Sequence, residues 1–94
     1  MLTQLDVSQN SLSRVPSEAI RDLHHLLILN MNHNKISSLH AKAFQGLDTL
    51  EILTLYENSI TTIDPEAFVG LGNFVMINTK IAGQLSDQPL RSVI

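Results

Sequence analysis

The chain has 94 residues, enough for one small domain, and its hydrophobic share of 44% and charged share of 16% suit a globular protein. A formal net charge of −3, with only 6 Lys and Arg and no basic cluster, argues against nucleic acid or an anionic membrane as partner. No apolar run is long enough to span a bilayer, and cysteine is absent.

Taken in chain order, the first predicted element is a short strand carrying Leu2, Leu5 and Val7, followed by Asn10 and Leu12. The same spacing returns at Leu26, Leu29, Met31, Asn34 and Ile36, and again at Leu50, Leu53, Leu55, Asn58 and Ile60. The three asparagines stand 24 residues apart. The second half of each unit repeats as well. Val15, Leu39 and Ile63 share one position, Ile20, Phe44 and Phe68 another, and Leu23, Leu47 and Leu71 a third. This frame follows the pattern L-x-x-L-x-L-x-x-N-x-L, and an internal period of about 20 to 29 residues is the signature of a solenoid.

Within a unit, Leu53-Thr54-Leu55-Tyr56 alternates apolar and polar residues. Alternation at period two makes a strand with one buried face. Leu53 and Leu55 are predicted to point inward, and Ile52, Thr54 and Tyr56 outward. The return path from Ile60 to Leu71 contains Pro65 and Gly70. A few tight helical turns or extended chain fit it better than a long helix. A fourth unit starts with Phe74 and Ile77, but Thr79, Ala82 and Gln84 then break the frame. The expected organisation is three repeats over residues 1–73, a degenerate fourth over 74–84, and a tail over 85–94. A weak strand near Phe74 to Thr79 followed by fraying is preferred to a final coil that covers the core.

The stretches Ala43-Phe44-Gln45-Gly46-Leu47 and Pro65-Glu66-Ala67-Phe68-Val69-Gly70-Leu71 sit inside this frame. With it, the chain resembles the leucine-rich repeat family over roughly residues 2 to 77, and more narrowly the 24-residue subclass of secreted proteins and receptor ectodomains. The resemblance implies an α/β solenoid: a right-handed coil with a short parallel β-sheet on its concave face and irregular or 3-10 segments on its convex face. The chain departs from that family in lacking cysteine, because extracellular members usually cap their ends with disulfide-bonded modules. Met1-Leu2-Thr3 enters the first repeat directly, so no signal peptide is expected. Both points suggest a repeat segment of a larger secreted or membrane-anchored protein. An intracellular repeat protein also fits a chain without cysteine.

Asn10, Asn34 and Asn58 suit their position because an amide both donates and accepts hydrogen bonds. At the sharp turn after each strand they are predicted to be buried and to pair with backbone groups of adjacent coils. The alternative is an ordinary surface turn. Phe44 and Phe68 are predicted to stack in the core, with a cofactor box as the alternative.

The outward strand positions are Gln4, Asp6 and Ser8, then Ile28, Asn30 and Asn32, then Ile52, Thr54 and Tyr56, then Met76, Asn78 and Lys80. Ile28, Asn30, Asn32, Ile52, Thr54 and Tyr56 form the centre and are the predicted partner-binding residues. The apolar row Ile28, Ile52 and Met76 reads either as an interaction stripe or as cross-strand packing. Such a patch covers roughly 300 Å² from strand geometry, against about 800 Å² per partner in a stable interface. This segment alone is therefore expected to bind weakly.

His24, His25, His33 and His40 have no metal-ligand spacing, and Asp6, Glu51 and Glu57 occupy different repeat positions. No base–nucleophile pair or phosphate loop is present. No cofactor, metal or enzymatic activity is expected. The resemblance implies a protein partner, with or without attached glycan, recognised by an extracellular receptor or matrix protein. Two alternatives stand beside it: a structural spacer or self-assembly unit whose open ends join other repeats, and a truncated product without a role of its own. No N-x-S/T acceptor is present in the chain itself.

Overall fold

The 24-residue spacing becomes a strand register. The protein's computed structural model describes residues 1–71 in full and, beyond them, the backbone of residues 76–81 and 84–89. The strands β1 (Gln4–Asp6), β2 (Ile28–Asn30), β4 (Ile52–Thr54) and β6 (Met76–Ile81) lie side by side and parallel. Gln4 pairs with Ile28, Ile28 with Ile52, and Ile52 with Met76, each step advancing 24 residues. The frame thus persists into the backbone of β6, although Thr79 replaces the expected leucine.

A second, two-stranded sheet lies on the return path. β3 (Ser38–Leu39) pairs parallel with β5 (Thr62–Ile63), again at an offset of 24. Extended chain therefore recurs there, as the proline and glycine content suggested. Between the strands and the return path lies one apolar core. Leu26, Leu29, Met31, Leu53 and Leu55 fill it from the strand side, and Val15, Ile36, Leu39, Phe44 and Leu47 from the return side. Burying each such side chain stabilises by about 1.5 to 3 kcal/mol. Phe44 and Phe68 stack with ring centroids 6.0 Å apart and planes 6° from parallel, and both rings are buried.

One element departs from the repeat. Ser17–Ile20 forms a one-turn α-helix, α1, directly after Pro16, with Glu18 in its first turn. Proline and an acidic residue suit a helix start. In the next unit Lys42 takes φ 58°, which is incompatible with continuing a helix. In the third, Pro65 stands at the position of Ser17, where proline is compatible with a helix start, yet residues 65–70 form turns. Those two return paths run instead as turns, such as the bonds from Ala43 N–H to the His40 carbonyl and from Leu47 N–H to the Phe44 carbonyl.

β7 (Gln84–Pro89) lies antiparallel on β6, with Ile81 opposite Gln84 and Met76 opposite Pro89. Residues 85–89 thus run as a strand, on a stretch without a repeat frame in the sequence. β6 leaves one row of backbone groups unpaired, and a strand returning after a two-residue connection satisfies them without needing the repeat frame. Phe74, Ala82 and residues 90–94, on which other expectations fell, lie outside the described residues.

Candidate recognition surface

Strand alternation places the predicted residues on one face. Leu29 and Leu53 are fully buried, whereas Ile28, Asn30 and Thr54 are half-buried and Ile52 is 37% exposed. The register sets Ile28 beside Ile52 and Asn30 beside Thr54. Just past the strands, the Tyr56 N–H donates to Asn32 Oδ1 at 2.6 Å. All six predicted partner-binding residues are therefore neighbours on one surface.

Polar bonds fix the side chains of that surface. Asn30 Oδ1 accepts from the Asn32 N–H at 3.0 Å and from the Thr54 hydroxyl at 3.1 Å. In the first coil, Asp6 Oδ1 accepts from the Ser8 N–H at 2.9 Å. The Ser8 hydroxyl first, and its N–H second, hold the Asp6 carboxyl below its ordinary value of 3.8. Asp6 is therefore ionised at neutral pH.

Three residues past the ends of β1, β2 and β4 stands a left-handed residue at one repeat position: Gln9 at φ 57°, His33 at φ 57° and Glu57 at φ 59°. Non-glycine residues there are strained. The turn they create aims the following asparagine inward. The Asn34 amide nitrogen lies within 3.1 Å of the Val7 and Met31 carbonyls, and its oxygen accepts from the Leu12 N–H at 3.1 Å. Asn58 repeats the arrangement on Met31, Leu55 and Ile36. Both side chains reach back to the preceding coil. Asn10 differs from the buried expectation. It is exposed and donates only within its own turn, to the Val7 and Ser8 carbonyls, because no described coil lies before it.

The histidines divide by environment. His24 Nδ1 stands 3.2 Å from Asp48 Oδ2, both exposed. His40 Nε2 lies 2.8 Å from Ser17 Oγ, and that hydroxyl donates to the Ala43 carbonyl at 2.7 Å. Since the hydroxyl proton points to the carbonyl, His40 Nε2 is the donor in this pair. Sequence alignment missed this tie because Ser17 and His40 occupy different repeat positions. Among the described residues, no group of three His, Asp or Glu is placed to hold a metal ion. An open cleft of about 550 Å³ is lined by Ser11 through Ala19 and shares no residue with the sheet face. Among the described residues, no helix is long and apolar enough to cross a membrane.

No curated protein matches the chain. A family model described as leucine rich repeat matches residues 1–55 and 32–78, which together cover more than half of the chain. The repeat, its 24-residue strand register and its back-reaching asparagines thus have one source: the chain belongs to the leucine-rich repeat family.

Proposed function

We propose that this chain is a non-catalytic protein-recognition segment of an extracellular receptor or matrix protein, and that it binds through the outward face of the five-stranded sheet. Repeats of this family generally mediate protein–protein interaction. In this reading the sheet lines the concave side of a right-handed coil of the 24-residue subclass, and the partner is a protein with or without glycan. The observation that carries it is the registered, bonded row structure: Ile28 beside Ile52, Asn30 tied to Thr54, and Asn32 tied to Tyr56. Side chains held this way lose little further freedom on binding.

Panning a displayed random-peptide library on the chain tests this. Binders should lose about tenfold affinity or more when Ile52 and Tyr56 are both replaced by alanine, about 1.4 kcal/mol. They should be indifferent to Ser38→Ala with Thr62→Ala on the second sheet. Binders with the opposite sensitivity would refute the proposal.

A second reading, self-association, is favoured by the first coil. Leu2 is 47% exposed, and Leu5, Val7 and Leu12 are only half-buried. β1 also leaves one edge of the sheet open among the described strands. Sedimentation should then show concentration-dependent dimers that Leu2→Lys abolishes. A monomer at all concentrations would exclude this reading.

A further inference from the structure

The two asparagines at the centre of the sheet face are oriented, and their orientation defines what they offer a partner. Asn30 Oδ1 already accepts two hydrogen bonds, and Asn32 Oδ1 accepts the short one from Tyr56 N–H. Backbone N–H groups donate to both amides, so their oxygens must face the protein. The amide nitrogens, Asn30 Nδ2 and Asn32 Nδ2, have no acceptor among the described residues and present their N–H donors outward.

The neighbourhood restricts what those donors meet. In the strand rows and the turns beside them stand three exposed acids, Asp6, Glu51 and Glu57, against His33 and, at a position of β6, Lys80, so acids outnumber fixed cations there. Ionised acceptors such as carboxylates or sulfates would be repelled, so neutral carbonyls on a cationic carrier fit. Residues two apart along extended chain are about 6.6 Å apart. The Met31 and His33 N–H groups continue the parallel bonding of β2 onto the Thr54 and Tyr56 carbonyls, so Asn30 and Asn32 stand at about that interval, and an extended peptide presents carbonyls along one edge at the same interval. Ile28 and Ile52 lie alongside and offer an apolar strip for one side chain.

We propose that the centre of the sheet face binds an extended basic peptide segment, whose backbone carbonyls accept the outward amide N–H groups of Asn30 and Asn32. The inference rests on the recognition reading above and names the chemistry of the partner.

Three acetylated and amidated pentapeptides test it: Lys-Val-Lys-Val-Lys, Thr-Val-Thr-Val-Thr and Glu-Val-Glu-Val-Glu. They are titrated to millimolar concentration into the isotope-labelled chain and followed by NMR. Affinity should fall in the order lysine, threonine, glutamate, and the side-chain amide signals of Asn30 and Asn32 should shift with the first two. Asn30→Asp with Asn32→Asp keeps the inward oxygens and removes the outward donors. This double variant should melt as the parent does and bind the uncharged threonine peptide at least fivefold more weakly. If it unfolds, Asn32→Asp alone replaces it with the same expectation. No shifts with any peptide, strongest binding of the glutamate peptide, or undiminished binding by the donor-free variant would each overturn the proposal. Library binders that map to Ile52 and Tyr56 but are acidic would overturn this inference while leaving the recognition reading intact. Binders mapping to the second sheet would remove both.

Discussion

Gly46→Ala is expected to remove about 3 to 5 kcal/mol of stability, enough to unfold much of a chain of this size at 37 °C. Gly46 has φ +96°, and a Cβ built there would lie 1.9 Å from the Arg21 carbonyl oxygen. The methyl group meets rigid backbone rather than a flexible side chain, so the two coils must separate locally. A left-handed alanine adds about 1 to 2 kcal/mol of its own. Gly70→Ala is a graded control. It shares the positive φ, at +98°, but its nearest contact is Gln45 Cα at 3.0 Å. About 1 to 2 kcal/mol is expected there. In both cases the obstructing atom belongs to the residue 25 positions earlier, in the preceding coil. Asp22 occupies the same repeat position in the first coil but does not share the positive φ. The glycine requirement thus has two sources, the left-handed backbone and the coil beneath. Urea unfolding of the two variants measures this, and equal midpoints for Gly46→Ala and the parent would mean that the coils do not approach as described.

What the sequence revealed and what it hid have the same physical origin. Periodic leucines fix strand position and inward direction, because a shift of one residue would turn Leu29 and Leu53 into solvent. Register, core and the Ile28–Ile52 row were therefore legible. Interactions between coils depend instead on what lies beside each copy, which an alignment of equivalent positions cannot show. Asn10, Asn34 and Asn58 are the same residue with the same spacing, yet the first is exposed. The asparagines marked a sharp turn after each strand, but its left-handed residue recurs as Gln9, His33 and Glu57, three residue types with no glycine among them, so nothing marked which residue takes that conformation. β7 pairs with β6 outside the repeat frame, and its sequence carried no periodic trace. At the candidate surface the six residues were readable from alternation. The inward lock of the Asn30 and Asn32 oxygens was not, since it depends on Thr54 and Tyr56 a full repeat later.

Replacing the repeat asparagines one at a time should give a steep order rather than three equal losses. Asn34→Ala is expected to cost about 3 kcal/mol, from unpaired backbone groups near the core at about 1 to 3 kcal/mol each. Asn34 is only 7% exposed. Its removal strands the Leu12 N–H and takes the amide donors away from the Val7, Met31 and Asn32 carbonyls. The N–H dominates, because each carbonyl keeps a second lone pair with which to find water or another donor. Asn58→Ala should fall slightly below it, since Asn58 makes the corresponding bonds but is half-buried and water reaches the gap more easily. Asn10→Ala should cost less than about 1 kcal/mol, for its carbonyl partners lie in an exposed turn and its oxygen accepts no bond among the described residues. Thermal and urea unfolding of the three variants decide the matter. Equal losses would show that the asparagine acts within its own turn; the predicted order would show that its work is to join each coil to the one before.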